Sequence, residues 1–227
     1  MNEPAQRRIR SFVRRQGRMT KSQHSALERL WDRYVIAPEA MLDLDALFNR
    51  AAPRVLEIGF GMGDSLAAMA LAHPERDYLG IEVHRPGVGR LLAQLEAQNS
   101  GNVRVICADA VEMLQRYLPD ECFDAVQLFF PDPWPKKRHH KRRIVQTEFV
   151  ELLRHKLKTG GVFYVATDWE HYAEHVLAVM AQTPGFHNNA GAARYTERPD
   201  DRPPTKFEQR GERLGHIIRD LIFAREG

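Results

Sequence analysis

The chain has 227 residues, of which 43% are hydrophobic and 28% are charged, and its formal net charge is +3. This length is enough for one medium-sized domain with a hydrophobic core of its own. Two cysteines, Cys107 and Cys122, are too few for a disulfide framework, and their spacing matches no zinc motif. No apolar run approaches the roughly 18 residues that a membrane span needs, and the first ten residues lack the apolar segment of a secretory signal. We therefore expect a cytoplasmic protein without a membrane anchor.

The basic residues are concentrated in two segments. Residues 1–21 carry seven basic side chains and one acidic one, and residues 136–143 (KKRHHKRR) carry six basic side chains and no acid. The rest of the chain has 20 basic and 29 acidic residues. Two cationic segments on an acidic body favour a bound polyanion over ordinary solvated charge runs. We expect residues 1–21 to form a flexible basic arm and residues 22–227 to form a single domain.

A helix is predicted at the start of the domain, from Thr20 or Ser22 to the residues before Pro38. From residue 53 onward, short apolar strands alternate with helical segments, which indicates an α/β domain with a mostly parallel sheet. After Ala192 the pattern predicts a proline-broken loop and then a final strand over residues 214–225, antiparallel and at or near the sheet edge. The five earlier strands are predicted over residues 54–58, 77–83, 103–108, 123–130 and 161–166, and the helices near residues 65–72, 88–98, 113–114, 148–157 and 172–181.

Each of these five strands ends next to an acidic residue. In a parallel sheet the carboxyl ends of the strands share one edge, and ligands bind there. Five acids in register are difficult to attribute to chance, so we expect them to face one crevice. They are Glu57, Glu82, Asp109, Asp132 and Asp168.

A glycine-rich loop follows the first of these strands, where Glu57 precedes Gly59, Gly61 and Gly63. The spacing differs from the G-x-G-x-x-G fingerprint, in which a helix N-terminus holds a pyrophosphate. Two like charges about 5 Å apart repel by roughly 3 kcal/mol at an effective dielectric constant near 20. Glu57 would therefore oppose a pyrophosphate and favour a ligand with an ammonium or sulfonium group. The glycines permit positive φ and close approach of the backbone to that ligand.

Two further acids fit the other parts of such a ligand. Glu82 lies 23 residues after Gly59, the usual place for an acid that accepts hydrogen bonds from ribose hydroxyls. Asp109, on the neighbouring strand, is placed to accept a hydrogen bond from an adenine amino group. Ribose, adenine and a cationic tail together describe S-adenosylmethionine, which we expect as the cofactor.

The most unusual segment is FFPDPWPKK at residues 129–137. Its three prolines impose a rigid path on the backbone, which would hold Asp132 and Trp134 at the mouth of the crevice. Trp134 is a candidate platform for a purine base, because base–aromatic stacking contributes roughly 1–3 kcal/mol. The phosphates of a base stacked there would lie near the basic run at residues 136–143. A proline-rich turn with a packed tryptophan is the alternative interpretation.

These motifs resemble those of the bacterial tRNA (guanine-N7-)-methyltransferases, which methylate guanine at position 46 of the tRNA variable loop. The resemblance covers most of the chain, from RSFVRRQGR at residues 10–18 to TKFE at residues 205–208. The glycine motif LEIGFGMG is common to class I methyltransferases, whereas PDPWPKKRHHKRR and TKFE are far more specific to this family. The family implies a Rossmann-like class I fold, with a mostly parallel seven-stranded sheet and flanking helices.

The resemblance also implies roles for particular residues. Asp132 corresponds to the proposed active-site residue of the family and also contacts the cofactor. The other residues expected at the cofactor are Glu57, Gly59, Gly61, Gly63, Glu82 and Asp109. Those implied at the substrate are Lys136, Asp168, Thr205, Lys206, Phe207 and Glu208, and those implied at RNA are Arg138, His139, His140, Lys141, Arg142 and Arg143.

The chemistry of guanine limits what Asp132 has to do. The N7 atom carries a lone pair and no proton, so its methylation does not obviously require a general base. We interpret Asp132 as an orienting or electrostatic group that either stabilises the positive charge on the base or positions the methyl donor. Most of the rate is expected from holding the reactants in line. Asp168 is a candidate acceptor for the N1–H and N2 amino groups of guanine.

Three other functions remain open on the residues alone. They are a class I methyltransferase acting on an exocyclic or amide nitrogen, a Rossmann-type dehydrogenase, and a non-catalytic RNA-binding protein with a cofactor fold. Glu57 and the glycine spacing oppose the dehydrogenase, and the complete set of acids opposes the non-catalytic protein. No metal site is expected, since His139 and His140 are adjacent and diverge on any regular element. Transfer RNA is the expected partner, with no obligate protein partner.

Overall fold

The computed structural model describes residues 11–12 and 17–227, apart from the side chain of Phe207. Most of the expected basic arm, residues 1–10 and 13–16, lies outside the described residues, so its flexibility stays a prediction. The strands are β1 (Val35–Ile36), β2 (Arg54–Ile58), β3 (Asp77–Ile81), β4 (Val103–Ile106), β5 (Phe123–Phe129), β6 (Leu157–Thr167), β7 (Phe186–Asn188) and β8 (Arg219–Arg225). The helices are α1 (Lys21–Tyr34), α2 (Leu44–Phe48), α3 (Asp64–Ala72), α4 (Arg85–Ala97), α5 (Ala110–Arg116), α6 (Thr147–Lys156), α7 (Glu170–Gln182) and α8 (Lys206–Arg213), with a 3₁₀ helix, η1, over Lys137–Arg142.

The eight strands of the described residues form one sheet in the order β1-β4-β3-β2-β5-β6-β8-β7. The first six strands in this order are parallel, whereas β8 runs antiparallel to β6 and β7 antiparallel to β8. The chain moves outward from β2 through β3 to β4, and then returns to add β5 on the other side of β2. Ligand sites of such sheets lie at this reversal, beyond the carboxyl ends of the strands.

Helices cover both faces of the sheet. Successive side chains of a strand point to opposite faces, so Val55 packs with α1, α3 and α4, while Leu56 packs with α5, α6 and α7. Because both faces are buried, the central strands are almost continuously apolar in sequence. Among the described residues, no helix combines the length and the apolar character that crossing a bilayer requires.

The start of α1 agrees with the sequence prediction. The Thr20 hydroxyl accepts a hydrogen bond from the backbone N–H of Gln23 at 3.2 Å, and the Gln23 side chain accepts one from the N–H of Thr20 at 2.8 Å. This reciprocal capping box satisfies two backbone donors that the first helical turn leaves free.

Among the described residues the sheet has eight strands, whereas the family implies seven and six were predicted individually. The two strands that were not predicted individually, β1 and β7, are short pairings at its two edges. The final strand begins at Arg219 instead of residue 214, and it is antiparallel and second from the edge. The loop predicted after Ala192 also contains a helix, α8. Thr205 and Glu208 form a capping box at the N-terminus of α8, and this polar signal, not hydrophobic periodicity, marks where the helix starts.

Candidate functional site

The carboxyl ends of the central strands open into one cavity of about 720 Å³. This volume lies within the range of pockets for drug-sized ligands and cofactors. Four of the five strand-end acids line the cavity, namely Glu57, Glu82, Asp109 and Asp132. The fifth acid, Asp168, is partly buried and is not among the lining residues.

Glu57 lies at the bottom of this cavity, with 2% of its surface exposed. Its Oε2 atom has no hydrogen-bond partner among the described residues. Burial, reinforced by the charge of Glu82, raises the pKa of Glu57 to about 8. A buried carboxyl group without a partner is costly to ionise, so a cationic ligand group in the cavity would stabilise its charged form.

Glu82 fixes the backbone of the glycine loop. Its Oε2 accepts a hydrogen bond from the N–H of Gly61 at 2.8 Å, and its Oε1 accepts from the N–H groups of Val83 at 2.6 Å and His84 at 2.9 Å. A carboxylate oxygen has two lone pairs, so Oε2 can accept a further hydrogen bond from a ligand hydroxyl. Glu82 thus shapes the loop and also faces the cavity.

Gly63 meets two requirements at the start of α3. Its φ is +79°, in the left-handed region that glycine adopts at little cost. A Cβ atom at this position would lie 2.6 Å from the Cβ of Leu91, so α4 leaves no room for a side chain. Close packing of α3 against α4 therefore depends on this glycine.

Asp109 caps α5 and also lines the cavity. Its Oδ1 accepts a hydrogen bond from the N–H of Val111 at 3.0 Å, which satisfies a free donor of the first turn.

Asp132 lies in the proline segment after β5, is exposed, and lines the same cavity. The cavity therefore has acids on its walls from three neighbouring strand ends as well as from this segment.

Trp134 anchors the proline segment against a short stretch near the N-terminus. Its Nε1 donates a hydrogen bond to the carbonyl oxygen of Ser11 at 3.1 Å, and the Arg142 guanidinium lies over its ring at 3.9 Å from the centroid. A cation over an aromatic face is stabilising. In this conformation, one face of the tryptophan expected to stack on a base is covered by Arg142.

Comparison with known proteins identifies the family. Residues 51–221 match a family model described as "Putative methyltransferase". The tRNA (guanine-N(7)-)-methyltransferase of Edwardsiella ictaluri is 60% identical over 226 residues, which cover 99% of this chain and 94% of that protein. The proteins of the same name from Yersinia enterocolitica and Escherichia coli are 57% and 59% identical, covering 99% and 96% of this chain and 95% and 92% of their own length. This chain belongs to the tRNA (guanine-N(7)-)-methyltransferase family.

Solved structures of other methyltransferases share the fold of this family member. KamB, described as a 16S rRNA methyltransferase, is similar with a TM-score of 0.59 at 15% identity, over 83% of this chain and 96% of that one. NpmB1, described as an aminoglycoside resistance methyltransferase, gives a TM-score of 0.55 at 15% identity, over 80% of this chain and 91% of that one. These similarities confirm the expected Rossmann-like class I methyltransferase fold.

The basic segment of this methyltransferase forms the 3₁₀ helix η1, and most of its side chains are exposed or partly exposed. Arg138 and Lys141 are exposed, and His139, His140 and Arg142 are partly exposed. Lys136, expected at the substrate, is the exposed residue just before η1 and does not line the cavity.

Arg143 departs from the expectation of RNA contact, because it is buried with 3% exposure. Its Nε donates a hydrogen bond to the carbonyl oxygen of Pro133 at 3.0 Å, and its guanidinium lies over the Tyr172 ring at 5.4 Å. The side chain therefore supports the proline segment from beneath. Sequence reasoning missed this because one basic run contains both surface and interior residues.

The segment from Thr205 to Glu208 divides between the cavity and the interior. Thr205 and Lys206 line the cavity, and the Lys206 ammonium lies 3.1 Å from an oxygen of Asp64 on α3. Glu208 is 1% exposed and its carboxylate is paired with Arg202. The side chain of Phe207 lies outside the described residues.

Two polar groups near the site were not singled out from the sequence. Asp64 accepts hydrogen bonds from Arg90 and Gln94 at 2.8 and 2.7 Å. Burial acts to raise the pKa of Asp64, but its hydrogen bonds with Lys206, Gln94 and Arg90 outweigh burial, so the pKa is lowered. His216 places its Nδ1 atom 3.2 Å from the Oδ2 atom of Asp168. The position of Asp64 directly after the glycine motif could have identified it as a site residue, whereas nothing in the sequence relates residues 168 and 216.

Proposed function

We propose that this protein transfers a methyl group from S-adenosylmethionine to the N7 atom of guanine in tRNA, at position 46 of the variable loop. The observation that carries this proposal is the meeting of four of the strand-end acids around one cavity of about 720 Å³, beside an exposed basic segment. Relatives 57–60% identical over nearly the whole chain, all named tRNA (guanine-N(7)-)-methyltransferase, support methylation of guanine N7 in tRNA. A tRNA substrate also agrees with the expected cytoplasmic location.

The residues around the cavity fit S-adenosylmethionine. The unpartnered Oε2 of Glu57 suits a positive group, and the spare acceptor capacity of Glu82 suits ribose hydroxyls. A Cβ at Gly59 would meet nothing within 4 Å, so the loop leaves open space on the cavity side. S-adenosylmethionine supplies, when bound, an activated methyl group on a sulfonium. Glu57, Glu82, Asp109, Asp132 and the glycine loop would hold it.

Asp132 is the proposed catalytic residue, and its function is electrostatic. Guanine N7 needs no deprotonation, so a carboxylate near the reacting base contributes by stabilising the positive charge that develops on it or by orienting the methyl donor. Preorganised charges are effective where the protein holds them rigidly. The proline segment and Arg143 beneath it provide that rigidity for Asp132.

A further set of residues is assigned to recognition of the nucleotide. We propose that Asp168 accepts hydrogen bonds from the N1–H and N2 amino groups of guanine, and that Thr205 and Lys206 approach the same nucleotide. Lys136, Arg138, His139, His140, Lys141 and Arg142 would contact the phosphate backbone, which dominates the affinity of proteins for nucleic acids.

Methyl transfer to an unmodified tRNA tests the proposal. The protein is incubated with radiolabelled S-adenosylmethionine and either the natural transcript or one in which guanosine 46 is replaced by adenosine. We expect label only in the natural transcript. Strand scission by borohydride and aniline at position 46 would identify the product as N7-methylguanosine.

The same experiment separates the alternatives. A labelled product that resists scission would indicate methylation of an exocyclic nitrogen. Binding of S-adenosylhomocysteine without transfer to any tRNA would favour a different substrate, and absence of cofactor binding would contradict the proposal altogether.

A further inference from the structure

Arg202 is a fully buried arginine outside the cavity. Its Nη1 and Nη2 atoms donate hydrogen bonds to the two carboxylate oxygens of Glu208 at 2.7 and 3.0 Å. Nη2 also donates to Oδ2 of Asp220 at 3.2 Å, and Nε lies 2.8 Å from Oδ1 of the same residue. One guanidinium thus bridges two carboxylates that are themselves 1% and 3% exposed.

The two carboxylates belong to different layers of the protein. Asp220 lies in β8, opposite Ala166 of β6, and it also accepts a hydrogen bond from the Tyr164 hydroxyl. Glu208 lies in the first turn of α8. Arg202 therefore connects α8 to the end of the β6–β8 pair, where β6 ends and β8 begins.

Few side chains of α8 other than Glu208 are buried against the rest of the protein. The helix sequence is KFEQRGER, and its buried residues, apart from Phe207 whose side chain is not described, are Glu208 and Gly211. A helix of this composition has little apolar surface to bury. Its described attachment is therefore mainly polar, through the pairing of Glu208 with Arg202 and with Arg198 at 3.2 Å and through the pairing of Lys206 with Asp64.

The helix in turn carries the groups assigned to the nucleotide. Glu208 completes the capping box with Thr205, since the Thr205 N–H donates to its Oε2 at 3.2 Å and the Glu208 N–H donates to the Thr205 hydroxyl at 3.1 Å. Lys206 stands next to this cap, at the cavity. A Cβ atom at Gly211 would lie 3.1 Å from the Asp168 carboxylate, so α8 also packs against that acid.

We propose that Arg202 is a positioning residue for substrate binding, and that Glu208 is the internal anchor of the segment instead of a group that touches nucleic acid. The inference rests on the proposed tRNA function. Arginine suits this place because its planar fork bonds two carboxylates in a fixed geometry, which a lysine ammonium does not reproduce. Losing that geometry displaces Thr205 and Lys206 and loosens the packing around Asp168.

Kinetics of Arg202→Lys test the inference. The variant keeps the positive charge but cannot bond both carboxylates in the same way. We expect the KM for tRNA to rise about tenfold or more, with a smaller change in kcat. The Kd for S-adenosylmethionine, measured by calorimetry, should stay within about twofold, because an interaction made only with tRNA leaves cofactor binding unaffected.

Arg50→Lys is the matched control. Arg50 pairs with the fully buried Asp77 at 2.6 Å. Asp77 is the first residue of β3, so this pair lies at the amino end of the strand, opposite to the end where the cavity is. This control variant should lower the Tm, as we also expect of Arg202→Lys, but it should not raise the KM for tRNA. Tyr164→Phe is a milder second variant, which removes one hydrogen bond to Asp220 and should raise that KM by a smaller factor.

Hydrogen exchange gives a readout independent of activity. In Arg202→Lys, the backbone amides of residues 205–216 should exchange faster, while those of residues 59–63 should exchange as in the parent protein. Unchanged exchange over residues 205–216 would overturn the inference. A loss of cofactor affinity as large as the loss of tRNA affinity would overturn it too, because Arg202 would then act on the whole fold and not on substrate binding. A parent protein that binds cofactor but methylates no tRNA would overturn the proposed function, and the exchange experiment would still decide whether Arg202 positions α8.

Discussion

Glu57 and Glu82 stand at the ends of the adjacent strands β2 and β3, and burial together with the charge of Glu82 raises the pKa of Glu57 to about 8. The two acids differ in their surroundings. Glu82 accepts three backbone hydrogen bonds, whereas one oxygen of Glu57 has no partner among the described residues. A cation bound in the cavity would therefore stabilise the charged form of Glu57.

Glu57→Gln should change how stability depends on pH. The ordinary pKa of a glutamate is 4.5, and in the folded protein that of Glu57 is about 8. Between these values the folded state binds more protons than the unfolded state, so the stability of the parent protein falls as pH rises. We expect the variant to match the parent near pH 5 and to exceed it by a few kcal/mol near pH 9.

Urea unfolding of the ligand-free protein at about pH 5, 7 and 9 provides this measurement. The exposed Glu39 offers a control, since Glu39→Gln removes one carboxyl group without changing the cavity. Equal pH slopes for the parent and Glu57→Gln would show that Glu57 does not titrate in this range.

Asp132→Asn should reduce turnover far more than it reduces binding. The change keeps the shape of the side chain and removes its charge, so it isolates an electrostatic role. We expect kcat to fall at least about tenfold, as for other preorganised charges at reacting centres, and the Kd for tRNA to change much less. The exposed Asp200 serves as control through Asp200→Asn. A fall in kcat below tenfold would remove Asp132 from the catalytic role.

Most of the fold follows from the sequence because strand ends and turns carry local signals. The apolar runs at residues 54–58 and 123–130 and the glycine loop between strand and helix predict parallel pairing and the position of the cavity. By contrast, β1 has two residues and therefore no detectable period, and α8 has one large apolar residue, Phe207, on which no periodicity can be built.

The site is predictable where the sheet topology alone brings residues together. Glu57, Glu82 and Asp109 meet because parallel strands end at the same edge. Side-chain pairs between distant segments are not predictable in this way. The sequence alone relates neither His216 to Asp168, 48 residues away, nor Arg202 to Asp220, 18 residues away.

Gly63→Ala should destabilise the protein and weaken cofactor binding. Alanine at φ +79° is strained, and its Cβ would overlap Leu91, so we expect a loss of about 2–4 kcal/mol in the free energy of unfolding. Gly101→Ala is the matched control, because a Cβ there meets nothing within 4 Å and the φ is not positive. Equal stability of the two variants would contradict the close packing of α3 on α4.

Lys141→Ala and Arg143→Ala should affect different properties, although both residues belong to one basic run. Lys141 is exposed, so its loss should leave the Tm unchanged and reduce the slope of log Kd for tRNA against log salt by about 1. Arg143 is buried under the proline segment, so its loss should lower stability by about 2–3 kcal/mol. Filter binding of tRNA at several salt concentrations, together with thermal unfolding, separates the two effects. A salt slope that falls equally in both variants, with no loss of stability for Arg143→Ala, would mean that Arg143 reaches the phosphates after all.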